Sequence, residues 1–149
     1  LYHVETTLSD TIPVTCFRSQ IGQIVTNLLS NAADALTEEI KISNLEAGEN
    51  VEGKIVVESG IAERDGIIGV FITVSDNGDG VPKAIREKIF EKFFTTKEVG
   101  LGTGLGLASC LDIMNAHGGY LEIGDDPNLG GARFEMWLPG ELGSWRGGQ

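Results

Sequence analysis

The chain is short of positive charge. Its 149 residues carry 11 lysines and arginines against 22 aspartates and glutamates, a formal net charge of −11. General nucleic-acid binding needs basic side chains to displace counterions from phosphate, so no nucleic-acid partner is expected. Any anion site must then be a local construction of backbone N–H groups, a metal ion or a few chosen lysines. Cysteine is equally scarce. Cys16 and Cys110 stand alone in apolar contexts without metal-ligand spacing, which reads as reduced core thiols in a cytoplasmic protein. No apolar run approaches the ~20 residues of a membrane span, and no signal-peptide pattern opens the chain. This segment is therefore expected to make no direct membrane contact. Strand-like sequence begins at the first residue, as in a piece of a longer protein.

What is present is enough for one soluble domain with a hydrophobic core: 41% apolar and 22% charged residues, with no internal repeat. The expected division is a domain over 1–139 and a glycine-rich, disordered tail over 140–149. Residues 1–8 alternate, with Tyr2, Val4, Thr6 and Leu8 on one face, as an amphipathic strand at a sheet edge does. From Ser19, a suitable N-cap, to Leu36 the period becomes helical, and Ile21, Ile24, Val25, Leu28, Leu29, Ala32 and Leu36 form the apolar stripe. The opposite face is almost uncharged: Gln20, Gln23, Asn27, Asn31 and Asp34 fall at steps of three and four. Asparagine is a poor helix former, so two of them one turn apart suggest a use for the carboxamides; a solvated amide face is the plain alternative.

Residues 37–53 are polar and acidic and read as an exposed connection. Strands are expected at 54–59 and 70–75 around an Asp65-Gly66 turn. Asp76-Asn77-Gly78-Asp79-Gly80 follows, then a short helix over 83–90 opened by Pro82. A helix over 105–116, ended by Gly118-Gly119, and strands over 120–124 and 133–138 complete the chain. Strands joined partly by turns and partly by helices favour a two-layer α/β sandwich, a mixed, mostly antiparallel sheet with helices on one face.

Between the short helix and the later one runs a loop that is apolar at its start and glycine-rich at its end, Phe93-Phe94-Thr95-Thr96-Lys97 to Gly102-Thr103-Gly104-Leu105-Gly106. Glycines entering a helix N-terminus suit an anion, because backbone can approach closely and unpaired N–H groups face outward. The loop reads as a lid over phosphate. A Walker A spacing is absent, and the glycines do not match the dinucleotide fingerprint, which follows a strand directly. A calcium loop counted from Asp76 would place Gly78 and Gly80 where oxygen ligands are needed. Asp76 at a strand end, flanked by glycines, instead suits a flat ligand whose exocyclic amine it can bind; alone, it would be a simple turn.

It is not alone. Asn27-Leu28-Leu29-Ser30-Asn31-Ala32-Ala33-Asp34-Ala35, Asp76-Asn77-Gly78-Asp79-Gly80, Phe90-Glu91-Lys92-Phe93-Phe94 and Gly102-Thr103-Gly104-Leu105-Gly106-Leu107 occur in that order. From about Leu1 to Pro139 the chain resembles the ATP-binding catalytic domain of bacterial sensor histidine kinases, a member of the wider gyrase, heat-shock-chaperone and kinase superfamily with the Bergerat fold. The lid and the Asn-Ala-Ala-Asp-Ala helix resemble the nitrogen-regulator-like subclass.

The resemblance implies ATP and Mg²⁺ as cofactors. Asn31 would bind the metal with Asn27 beside it, and Lys97 could reach the phosphates. Asp76 would hold the adenine amine, with Gly78 and Gly80 making room for the base. Gly102, Gly104 and Leu105 would offer backbone to phosphate, and Asp34, Phe93, Thr96, Thr103 and Gly106 complete the implied nucleotide-contacting set. Hydrolysing members carry a glutamate where Asn27 stands. An amide cannot be a general base at neutral pH, which favours transfer to another protein group over hydrolysis. The implied partners are a histidine-bearing dimerisation and phosphoacceptor domain and, indirectly, a response regulator. A superfamily ATP hydrolase and a nucleotide-gated binding module are the alternatives. Two departures stand out. Ala132 replaces a threonine that in many relatives supports the adenine-binding aspartate, so water or backbone must do so here. No phosphoacceptor box is present: His3 lacks the context, and His117 matches a structural position.

Overall fold

The computed structural model describes residues 2–47, 52–92, 94 and 106–141. Five strands form one sheet. β1 (Tyr2–Leu8) is followed by α1 (Arg18–Ala47), β2 (Gly53–Arg64), β3 (Ile67–Asp76), two single 3₁₀ turns (Lys83–Ile85 and Lys88–Phe90), α2 (Gly106–Ala116), β4 (Tyr120–Asp125) and β5 (Ala132–Pro139). The strand order is β1-β2-β3-β5-β4, with β1 parallel to β2 and every other pair antiparallel. This is the expected mixed, mostly antiparallel sheet, with β1 at its edge.

The core lies between the sheet and the helices. From α1 come Ile24, Leu28, Ala32 and Leu36, spaced four apart as a helix stripe requires. Cys110 and Met114 enter from α2, and the sheet answers with Ile55, Val74, Leu121, Phe134, Met136 and Leu138. In the strands these alternate with residues of the far face, where Tyr120 stacks on Trp137 at 5.7 Å between centroids. On that face the Tyr120 hydroxyl accepts from Arg64 Nε (2.7 Å) and donates to Glu135 Oε2 (2.8 Å).

Four expectations need correction. α1 does not stop near Leu36 but runs to Ala47, through part of the stretch read as an exposed connection. Glu38, Glu39, Lys41, Leu45, Glu46 and Ala47 are good helix formers, so helix propensity carries α1 on through a stretch that has no sustained apolar stripe. The helix also starts one residue before Ser19: Phe17 O accepts from the N–H groups of Gln20 and Ile21, which puts Phe17 at the cap. The expected helix over 83–90 is two 3₁₀ turns, because so short a stretch does not sustain the α nucleus. β2 and β3 are longer than expected and meet at Asp65 (φ 52°) and Gly66 (φ 80°), the paired left-handed residues of a tight hairpin turn. At the other boundary, Gly140 N–H donates to Ile68 O and Glu141 N–H to Pro13 O, so chain pairing continues two residues past 139; 142–149 lie outside the described residues.

His117 joins the two helices. Its Nδ1 is 2.7 Å from Ile113 O, a contact that requires the proton on Nδ1, and its Nε2 then accepts from Phe17 N–H at 3.0 Å. The Phe17 ring meets the imidazole edge-on at 5.8 Å. With both ring nitrogens engaged, the structural reading of His117 holds. His117→Ala should lower unfolding free energy by about 1–2 kcal/mol, read by urea denaturation, and should speed exchange of the Phe17 amide; an unchanged amide would refute the clasp.

Candidate nucleotide site

β3 ends at the site. Asp76 is 6% exposed, and its Oδ1 accepts from Gly78 N–H (2.9 Å) and Ala132 N–H (3.3 Å). At Ala132, where a threonine hydroxyl is lacking, the backbone N–H is the donor to Asp76. Oδ2 has no donor among the described residues. Asn77 lengthens the ladder sideways: its Oδ1 accepts from Lys54 N–H at 2.7 Å and its Nδ2 donates to Glu52 O at 3.2 Å. The glycine turn that follows is therefore held at its first residue. Gly80 has φ +77°, a conformation that glycine takes at little cost, and it lies beside Gly131 and Ala132.

The connection between β4 and β5 forms the adjoining wall. Asp126 Oδ1 accepts from Asn128 N–H (2.9 Å) and Leu129 N–H (2.8 Å). Burial works against the Asp126 charge, yet Leu129, Asn128, Ser75 and nearby Arg133 together hold its carboxyl below the ordinary range. Asp76 goes the other way. Burial, the largest influence, lifts its carboxyl above the ordinary value, and the charge of Asp126 adds to the lift. Arg86 braces the outside, donating to Val81 O (3.0 Å) and pairing with Asp125 Oδ1 (2.6 Å).

The α1 residues occupy one face. Asn27 and Asn31 are half-buried and Asp34 is exposed. Asn27 Nδ2 donates to Cys110 Sγ at 3.4 Å and lies near Gly106, where an added Cβ would come within 3.9 Å of it. Asn27 therefore stands at the start of α2, where the glycine-rich loop enters, and Asn31 follows one helical turn later on α1. Phe90 and Phe94 pack against the core and anchor the beginning of that loop. Phe93, Thr96, Lys97, Gly102, Thr103, Gly104 and Leu105 lie outside the described residues.

Sequence reading missed four contributors: Gly131, Asp126, Arg86 and Cys110. Only Gly131 carried a visible signal, as half of a Gly130-Gly131 pair directly before a strand. Among the described residues, no group of three or more His, Cys, Asp or Glu side chains forms a metal site. Two carboxamides on successive helical turns are instead hard oxygen donors, a set that suits Mg²⁺ completed by phosphate oxygens.

A two-layer α/β domain with a buried carboxylate in a glycine-walled turn and a carboxamide pair on its long helix defines a class of nucleotide-site architecture. The comparisons with known proteins agree with it. Residues 17–142 match the family described as histidine kinase-, DNA gyrase B- and HSP90-like ATPase, and the chain belongs to that family. It is 36% identical over 135 residues to the sensor kinase CckA of Brucella abortus, covering 87% of this chain and 13% of that protein. It is 36% identical over 127 residues to the sensory histidine kinase/phosphatase NtrB of Azospirillum brasilense, covering 85% and 30%. The chain thus spans less than a third of each. Among solved structures, full-length ShkA in complex with AMPPNP superposes with a TM-score of 0.67 at 26% identity, over 93% of this chain and 25% of that one. The domain is of the histidine-kinase catalytic type.

Proposed function

We propose that this domain binds ATP with Mg²⁺ and presents the γ-phosphoryl to a histidine on a dimerisation and phosphoacceptor domain that this sequence does not contain. The observation that carries the reading is Asp76: a buried carboxylate with one oxygen occupied by two backbone N–H groups and the other left for a donor. The adenine amine is such a donor, and Gly78 and Gly80 allow the ring close to backbone. The AMPPNP bound to the structural neighbour ShkA supports a nucleotide of this kind.

Asn27 and Asn31 would hold Mg²⁺, which when bound neutralises charge on the β- and γ-phosphates. Asp34, Phe93, Thr96, Thr103 and Gly106 would line the nucleotide, Gly102, Gly104 and Leu105 would offer backbone N–H groups to phosphate, and Lys97 would reach the same oxygens. The residues of this chain position and neutralise; they do not exchange protons. The acceptor imidazole attacks phosphorus in line, an N–P bond forms, the β–γ bridging P–O bond breaks, and ADP leaves. The phosphoryl then passes to a response-regulator aspartate. The setting is the cytoplasm, where ATP is available; no helix among the described residues is long and apolar enough to cross a membrane.

The test mixes this domain with a dimerisation domain and labelled ATP. Wild type should give an acid-labile, base-stable phosphohistidine, and Asn31→Ala should reduce its formation at least tenfold. Steady phosphate release without acceptor would point to a hydrolase, and analogue binding that never leads to labelling would point to a gated binding module.

A further inference from the structure

Cys110 is fully buried in α2. Its sulfur is the acceptor for the Asn27 amide nitrogen, 3.4 Å away, and no other described residue hydrogen-bonds to Asn27. A carboxamide rotates between two nearly equivalent orientations about its last torsion, and for a metal ligand the two are opposites, one presenting oxygen and the other two N–H donors. The thiol breaks that equivalence. Sulfur accepts a hydrogen bond from the nitrogen, whereas the amide oxygen at the same place would face a lone pair or only a weak S–H donor.

We propose that Cys110 is a positioning residue: its sulfur holds Nδ2 of Asn27 so that Oδ1 is presented, already oriented, to the divalent cation of the bound nucleotide. The inference rests on the nucleotide reading above and assigns the orientation of one ligand within it. Cys110→Val keeps the volume and removes the acceptor; Cys110→Ser keeps an acceptor.

Two measurements on this domain test it. The first is the Asn27 side-chain amide resonance without nucleotide, which Cys110→Val should displace. The second is AMPPNP affinity titrated with Mg²⁺ and repeated in EDTA. Cys110→Val should raise the Mg²⁺ concentration for half-maximal binding about tenfold and leave affinity in EDTA unchanged. Cys110→Ser should stay close to wild type. In an Asn27→Ala background Cys110→Val should add nothing, because the two act through one contact.

Equal weakening with and without Mg²⁺, or an undiminished effect in the Asn27→Ala background, would show a packing role and overturn the proposal. Unmoved Asn27 resonances would overturn the contact itself. Moved resonances with an unchanged Mg²⁺ requirement, while Asp76→Asn still abolishes binding, would reject the positioning role and leave the nucleotide reading in place. AMPPNP affinity indifferent to Asp76→Asn would instead remove the nucleotide reading, and this proposal with it.

Discussion

Asp76→Asn is expected to cut ATP-analogue affinity about a hundredfold, roughly 2.7 kcal/mol, while leaving the fold at least as stable. Oδ1 accepts both backbone N–H groups, and the asparagine oxygen can take over that role. The amide nitrogen then falls where Oδ2 was and turns a donor toward the adenine amine, itself a donor. An inosine triphosphate, with a carbonyl at that position, should lose far less affinity or gain. Calorimetry with both nucleotides reads the ratio; an unchanged adenine preference would refute the assignment of Asp76.

Stability has the opposite sign. The Asp76 carboxyl is raised above its ordinary value of 3.8, chiefly by burial, and the N–H groups of Gly78 and Ala132 offset this only in part. Its contribution to stability is present in full below pH 3.8 and is lost as pH rises through the folded-state pKa. Wild type should therefore lose stability relative to Asp76→Asn as pH climbs out of the acid range, measured by urea unfolding at stepped pH. A residue that weakens the empty fold yet governs affinity is what a binding role predicts.

The second large effect is Gly131→Ala. A Cβ at Gly131 would collide with the Asp76 carbonyl oxygen and would lie 2.5 Å from its Oδ1 and 2.6 Å from Gly78 N. Two of these atoms are backbone and cannot swing aside. The expected loss is about 2–3 kcal/mol of unfolding free energy, together with most of the nucleotide affinity, since the displaced atoms are those that frame Asp76. Equal Tm values for variant and wild type would show that the turn has room the geometry denies.

How far the sequence could be read depended on whether a signal was local. The α1 stripe, the Asp65-Gly66 hairpin and the Gly118-Gly119 stop were legible because each depends on neighbouring residues. At the stop, Gly119 N–H bonds Met114 O and Gly118 N–H bonds Asn115 O, the pattern of a glycine-terminated helix. The last eleven residues of α1 were illegible because helix propensity without an apolar stripe looks like a polar loop. In the site, Asp76 and the carboxamides were visible as residue types at fixed spacing. The Ala132 N–H was not, and Gly131 showed only as half of a glycine pair, since what matters there is where a distant strand brings its backbone. Cys110 offered no signal of its own: its part depends on facing Asn27 across two helices.

The seat of Asp76 is assembled from two pieces of chain 56 residues apart, one closing β3 and the other opening β5. Those strands lie side by side within the sheet, so this corner cannot come apart alone without unzipping the middle of the domain. A molecule lodged there consequently acts as a rivet through the whole architecture. Its occupancy raises resistance to global denaturation by RT ln(1 + [L]/Kd), and melting temperature becomes a direct gauge of ligand concentration.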